Sequence, residues 1–293
     1  MNNLNKKIVI STTPLNQSIN NKKIDTTLTD TSLHLEIKKS SENSNKIFNS
    51  LLNSFELGAD PKRFIVSSEI LNGESTLLRT KNAFLENISQ LDWVTDFQSE
   101  HDPFPIDKCS DALRIGSDRI GITILYNPQI QYKNSLRSYT IESINDAMKI
   151  TNQKLTVYLK IINQESPKNN DLLLLESIRQ LQDEHLNPDS WIFELNGNEN
   201  IASLISSQAQ IDERLNTSVI LKINNLEEIQ KKIEIIASTI GIQGLLLDFA
   251  IWENFLRKLE SNFDSKNSEH IIGNKILEII KRLDYINTSM NLY

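Results

Sequence analysis

Residues 187–197 read NPDSWIFELNG. The run before them, Leu172 to His185, has apolar residues near helical spacing, Pro188-Asp189 breaks it as a turn, and Trp191 to Leu195 follows as a short apolar strand. Helix, turn and strand in that order form one unit of an alternating fold. Where such units close into a barrel, catalytic groups sit at the C-terminal ends of the strands. This strand end carries one acid, Glu194, and neither base nor nucleophile.

Outward from this unit the pattern repeats. Arg63 to Ser67, Asp92 to Thr95, Ile120 to Tyr126, Leu155 to Ile161, Ser218 to Ile223 and Gln243 to Phe249 read as further strands. Ile141 to Ile150, Glu199 to Arg214 and Leu226 to Ser238 read as amphipathic helices between them. The runs GITILY, VILKI and GLLLDF are continuously apolar, as strands buried on both faces of a parallel sheet must be. Asn225 with Glu228 has the spacing of a capping box, and Ser268 precedes a last helical run ending near Leu283. An α/β (β/α)8 TIM barrel over residues 61–293 is the expected fold, irregular in its first strands. No GxGxxG follows the first strand and no GxxxxGK[ST] occurs, so dinucleotide and nucleoside triphosphate binding lack their usual support.

The 293 residues are 39% apolar and 24% charged, with an Asn, Ser and Lys excess concentrated in residues 1–60. That segment is expected to be a polar, partly disordered extension, or an arm that docks through Ile8 to Ile10 and Leu33 to Ile37. A net charge of −7 with no basic cluster disfavours nucleic acid. Cys109 stands alone, so it forms no internal disulfide and reads as structural or incidental. Ile8-Val9-Ile10 is too short for a signal-peptide core, and no stretch is long enough to span a bilayer; a cytoplasmic protein is the default expectation.

Three segments carry a resemblance. Gly121 to Pro128, GITILYNP, is similar to a strand ending Val-Arg-Tyr-Asn-Pro; Ile178 to Glu194 to a helix and strand reading Leu-Gln-Asp, Pro-Asp, Trp-Lys-Ile-Glu; and Gly244 to Leu256 to Gly-Phe-Ala-Ile-Gly-Arg-Ser-Ile-Trp-Glu-Asp-Pro-Leu. Together they resemble the class I aldolase-like barrel of inositol catabolism, the 2-deoxy-5-keto-gluconate 6-phosphate aldolase-type domain. The resemblance implies a barrel, and a sugar phosphate cleaved through a Schiff-base lysine. The chain departs from it at each working position: Ile192 replaces the lysine, Leu125 the arginine before Tyr-Asn-Pro, and Asp248-Phe249 the Gly-Arg pair suited to a phosphate.

The candidate residues follow. Lys222 and Lys160, near the ends of strands flanking the central one, are amines able to take over the Schiff base, or lysines whose heads escape to the rim. Glu194 and Asp248 form an acid and base pair, a divalent-metal pair, or hydrogen-bonded structural acids. Tyr126 and Asn127 hold a polar ligand or simply make a turn before Pro128. None of His34, His101, His185 and His270 sits at a strand end, and no cofactor or metal is assigned. Lys231 and Lys232 read as part of a solvated face. Three functions stay open: a pseudoenzyme barrel binding a small carbonyl or sugar-phosphate-like ligand or a partner; a carbon–carbon lyase with a rebuilt site; and an assembly role, as homo-oligomer or with another protein, through residues 1–60.

Overall fold

Eight parallel strands close on themselves in chain order: Lys7–Ser11 (β1), Phe64–Glu69 (β2), Glu86–Thr95 (β3), Arg119–Tyr126 (β4), Lys154–Ile161 (β5), Ser190–Phe193 (β6), Ser218–Ile223 (β7) and Ile242–Leu247 (β8). The computed structural model describes residues 6–14, 30–98, 104–162, 170–195, 199–261 and 263–290. A helix follows each strand: Asp30–Glu56 (α1), Ile70–Asn82 (α2), Ile106–Ile115 (α3), Asn134–Thr151 (α4), Asn170–Asp183 (α5), Glu199–Ala209 (α6), Ile229–Ser238 (α7) and Phe249–Glu260 (α8), with Ser265–Met290 (α9) added at the end. The fold is the expected (β/α)8 barrel, and no described helix is long and apolar enough to cross a membrane.

Strands β2 to β8 are those read from sequence, though β3 begins at Glu86 rather than Asp92 and β8 stops at Leu247. The expected extension over residues 1–60 is corrected. β1 lies inside it and pairs on both edges, Ile8 with Phe64 of β2 and Leu245 of β8. A barrel short of this strand has two open edges, so the five residues KIVIS that looked like an isolated patch are what closes it. Helix α1 is likewise structural, burying Ile47, Phe48 and Leu51. Its serines, which read as disorder, allow close packing: Ser44 Oγ meets Thr76 Oγ1 at 2.8 Å, and Ser50 O lies 2.8 Å from where a Cβ on Gly273 of α9 would sit. The side chains of residues 31–37, including the second expected docking piece, and residues 1–5 and 15–29 lie outside the described residues.

Period-two alternation gives the barrel two cores. Outward residues such as Leu155, Val157 and Leu159 of β5 join Trp191, Trp252 and the helices in a large outer shell. Inside, Val9, Ile65, Ile88, Tyr158, Ile192, Ile220 and Leu246 form a second cluster, one residue from each strand except β4. β4 brings Gly121 instead, where a Cβ would lie 2.1 Å from the Gln90 side-chain oxygen.

Candidate active site at the C-terminal mouth

The inner cluster fixes the phase of every strand end. Two residues beyond Tyr158, Ile192, Ile220 and Leu246 lie Lys160, Glu194, Lys222 and Asp248, on the four consecutive strands β5 to β8 or just past their ends. A two-residue step returns a side chain to the same face, so all four belong to the inner face above the apolar layer. All four line one cavity of about 750 Å³ at the mouth. The four charged candidates read separately from sequence are brought together.

The tightest element is an ion pair, with Lys222 Nζ 2.6 Å from Asp248 Oδ2 and the two side chains 18% and 9% exposed. Asp248 also caps α8: its Oδ1 accepts the Ala250 N–H at 3.1 Å, so both carboxylate oxygens are engaged. This corrects the reading of Asp248 and Phe249 as the end of a strand. On the adjoining strand ends Glu194 Oε2 accepts from Asn224 Nδ2 at 2.6 Å. Glu194 and Lys160 are exposed, and Lys160 has no ion-pair partner among the described residues. The floor is Tyr158, whose hydroxyl lies 2.8 Å from Ser67 Oγ on the far side of the barrel. Burial, with the Asp248 charge adding to it, raises the Tyr158 hydroxyl above the ordinary phenol range, so it stays a neutral donor.

Other expectations end elsewhere. Tyr126 and Asn127 do not line this cavity. Tyr126 falls on the outward phase of β4, buried against helices, receiving a hydrogen bond from Arg137 at 3.0 Å, donating to Gln180 at 2.9 Å and stacking on Tyr132 with ring centroids 4.8 Å apart. Asn127 Oδ1 accepts the Gln129 N–H at 2.9 Å, which makes the residue a turn former. Lys231 is exposed as expected, but Lys232 is buried, with Glu228, Glu194 and Asp171 as its charged surroundings; burial lowers its pKa. Cys109 is buried, which pushes its thiol up to about 12 and leaves it unreactive at neutral pH.

Ile192, where the resemblance expects an amine, sits in the inner cluster at 1% exposure. It pairs in register with Ile220, and Lys222 stands one inward step above that residue. An amine is thus present one strand over and one layer higher. Among the described residues no group of three His, Cys, Asp or Glu is arranged to hold a metal ion. Residues that sequence reasoning missed are Tyr158, which alternation from Lys160 could have found, and the α1 residues Lys39, Ser40 and Asn43, for which no sequence signal exists.

No protein-family model and no curated protein sequence matches the chain. Among solved structures it is similar to the YdjI aldolase of Escherichia coli K12, with a TM-score of 0.54 and 10% sequence identity over 81% of this chain and 87% of that one. The shared architecture is the (β/α)8 barrel. At this identity the likeness extends to the fold alone.

Proposed function

We propose that the mouth is the active site of an imine-forming carbon–carbon lyase acting on a small carbonyl compound, with Lys222 as the amine. The observation that supports this is the Lys222–Asp248 pair at 2.6 Å, facing a cavity that also presents Glu194. Asp248 takes a proton from the Lys222 ammonium, and the freed nitrogen adds to the carbonyl carbon. The carbonyl oxygen leaves as water, and the resulting iminium is the electron sink. Glu194 removes the proton of the β-hydroxyl, the carbon–carbon bond breaks, and its electron pair enters the iminium to give an enamine and a free aldehyde or ketone. Protonation of the enamine carbon and hydrolysis release the second product and restore the lysine. Tyr158 donates from the floor of the cavity to an oxygen of the bound compound.

Borohydride reduction in the presence of dihydroxyacetone, pyruvate or a ketohexose tests this directly. A reduced adduct on the Lys222 peptide, lost in Lys222→Ala while the fold is retained, is the expected result. An adduct on Lys160, or none, overturns it. A second reading, an aldolase-like barrel that binds a carbonyl or sugar-phosphate-like ligand without turning it over, is favoured by Ile192 in the inner cluster and by Phe249 at the mouth. Ligand binding without any adduct is its signature.

A further inference from the structure

The inner layer beneath the cavity is apolar on β1, β2, β3, β6, β7 and β8, and Tyr158 of β5 brings the one hydroxyl into it. Packing alone asks for no hydroxyl there, and a buried one needs a partner. The phenol finds it across the barrel on β2, where Ser67 Oγ lies 2.8 Å from its oxygen. Two hydroxyls joined by one hydrogen bond hold two hydrogens and spend only one of them on that bond. Which hydrogen is spent decides what Tyr158 can do.

Ser67 is 0% exposed, and among the described residues Tyr158 is the one hydrogen-bond partner of its side chain. Its register neighbours are Ser11 of β1, whose own hydroxyl donates to the Thr13 carbonyl at 2.7 Å, and Ile88 of β3, which has no polar side-chain atom. If the phenol donated, the Ser67 hydrogen would be sealed in with no acceptor, and a buried donor left unmade carries its full desolvation cost. If Ser67 donates, its hydrogen is placed on the phenolic oxygen and the phenolic hydrogen is released. Tyr158 lines the cavity together with Asp248 and Lys222. The Asp248 charge is felt at the phenol, and the same carboxylate holds Lys222 at 2.6 Å. Phenol, carboxylate and amine therefore share one corner of the site.

We propose that Ser67 is a positioning residue that acts through Tyr158: it donates to the phenolic oxygen and so leaves the phenolic hydrogen for an oxygen of the bound carbonyl compound. The identity of that oxygen rests on the lyase reading above, but the direction of the Ser67–Tyr158 hydrogen bond does not. NMR of the full chain, isotope-labelled at the oxygen-bearing ring carbon of tyrosine, reads that direction. The Tyr158 signal, identified by its loss in Tyr158→Phe, is expected to move downfield in Ser67→Ala as the phenol stops accepting. Ser67→Cys, a second variant with a weaker donor, should move it less and in the same sense. An upfield move, or none, overturns the inference. Borohydride trapping with dihydroxyacetone reads the consequence. Ser67→Ala is expected to slow maximal trapping about tenfold, as loss of one net hydrogen bond implies, with the half-saturating concentration unchanged within about twofold. Tyr158→Phe should slow it by a similar factor, and the double variant should be no slower than Tyr158→Phe. Equal slowing by Ser67→Ala in both backgrounds overturns the inference, because Ser67 would then act on more than Tyr158. The expected shift without trapping in the wild-type chain refutes only the lyase reading, and trapping with the opposite shift refutes only this one.

Discussion

At the N-terminal end of the barrel, Arg119 donates to Glu86 at 2.7 Å and to Ser190 at 3.0 Å, while Lys7 stands 3.6 Å from the same Glu86. At the C-terminal end, Lys222 is paired with Asp248, but Glu194 and Lys160 lie exposed around a cavity. Both ends place charged residues on inward phases, the first set on β1, β3 and β4 and the second on β5 to β8. The first set is tied across β1, β3, β4 and β6, so it links strands that are not all neighbours in the ring. The second set is only partly satisfied by the protein, which leaves groups free to meet a ligand. One end is tied shut and the other opens on a cavity.

Breaking the closed end should have the largest effect on stability. Glu86→Ala leaves Arg119, with its side chain 12% exposed, without its carboxylate, and should cost about 3 kcal/mol by urea unfolding while borohydride trapping by the folded fraction is unchanged. A loss within about 0.5 kcal/mol, the range of ordinary surface substitutions, would show that the network does not hold the strands.

Lys6 sharpens the same end through pH. It is buried and donates to the Ile242 carbonyl, and burial lowers its pKa from 10.5 to about 8. Between those values the unfolded chain keeps a proton that the folded chain has lost, so stability rises with pH across that window. Below it the buried ammonium weighs fully against the fold. Lys6→Met should therefore be more stable at pH 7 by about 2 kcal/mol, with the advantage vanishing by pH 10.5. A wild-type stability that stays flat or falls over this window refutes the assignment.

At the open end the effects on stability are smaller and those on ligand larger. Asp248→Ala removes the α8 cap and the partner of Lys222, for about 1–2 kcal/mol, together with loss of the borohydride adduct; trapping at the wild-type level would separate the pair from the chemistry. Lys160→Ala removes an exposed side chain with no ion-pair partner among the described residues, and should change stability by no more than about 0.5 kcal/mol. A larger loss would mean that Lys160 belongs to the scaffold.

Most of the barrel was legible before the structure. Strands buried on both faces are continuous apolar runs, which is why β4, β7 and β8 stand out as GITILY, VILKI and GLLLDF. β1 did not, because five residues carry too little pattern without the two edges they pair with. α1 did not, because its buried serines imitate a polar linker. The site was half legible for the same reason. Lys160, Glu194, Lys222 and Asp248 stand out as charges at strand ends, whereas sequence leaves both readings of Tyr126 open because a strand end has two faces and only the neighbouring strands tell which is inward. Lys232 was misread because its immediate neighbours in sequence are charged, while the groups that bury it come from elsewhere in the fold.

By itself the sequence determined the alternation of strand and helix and the parallel sheet, since these depend on residue spacing alone. Tertiary structure decided that β1 pairs with both β2 and β8, that Ser67 meets Tyr158 across 91 residues of chain, and that four charged side chains share one cavity. Those outcomes depend on closure: the strand phases become mutual constraints only when the last strand pairs with the first, and no local stretch contains that contact.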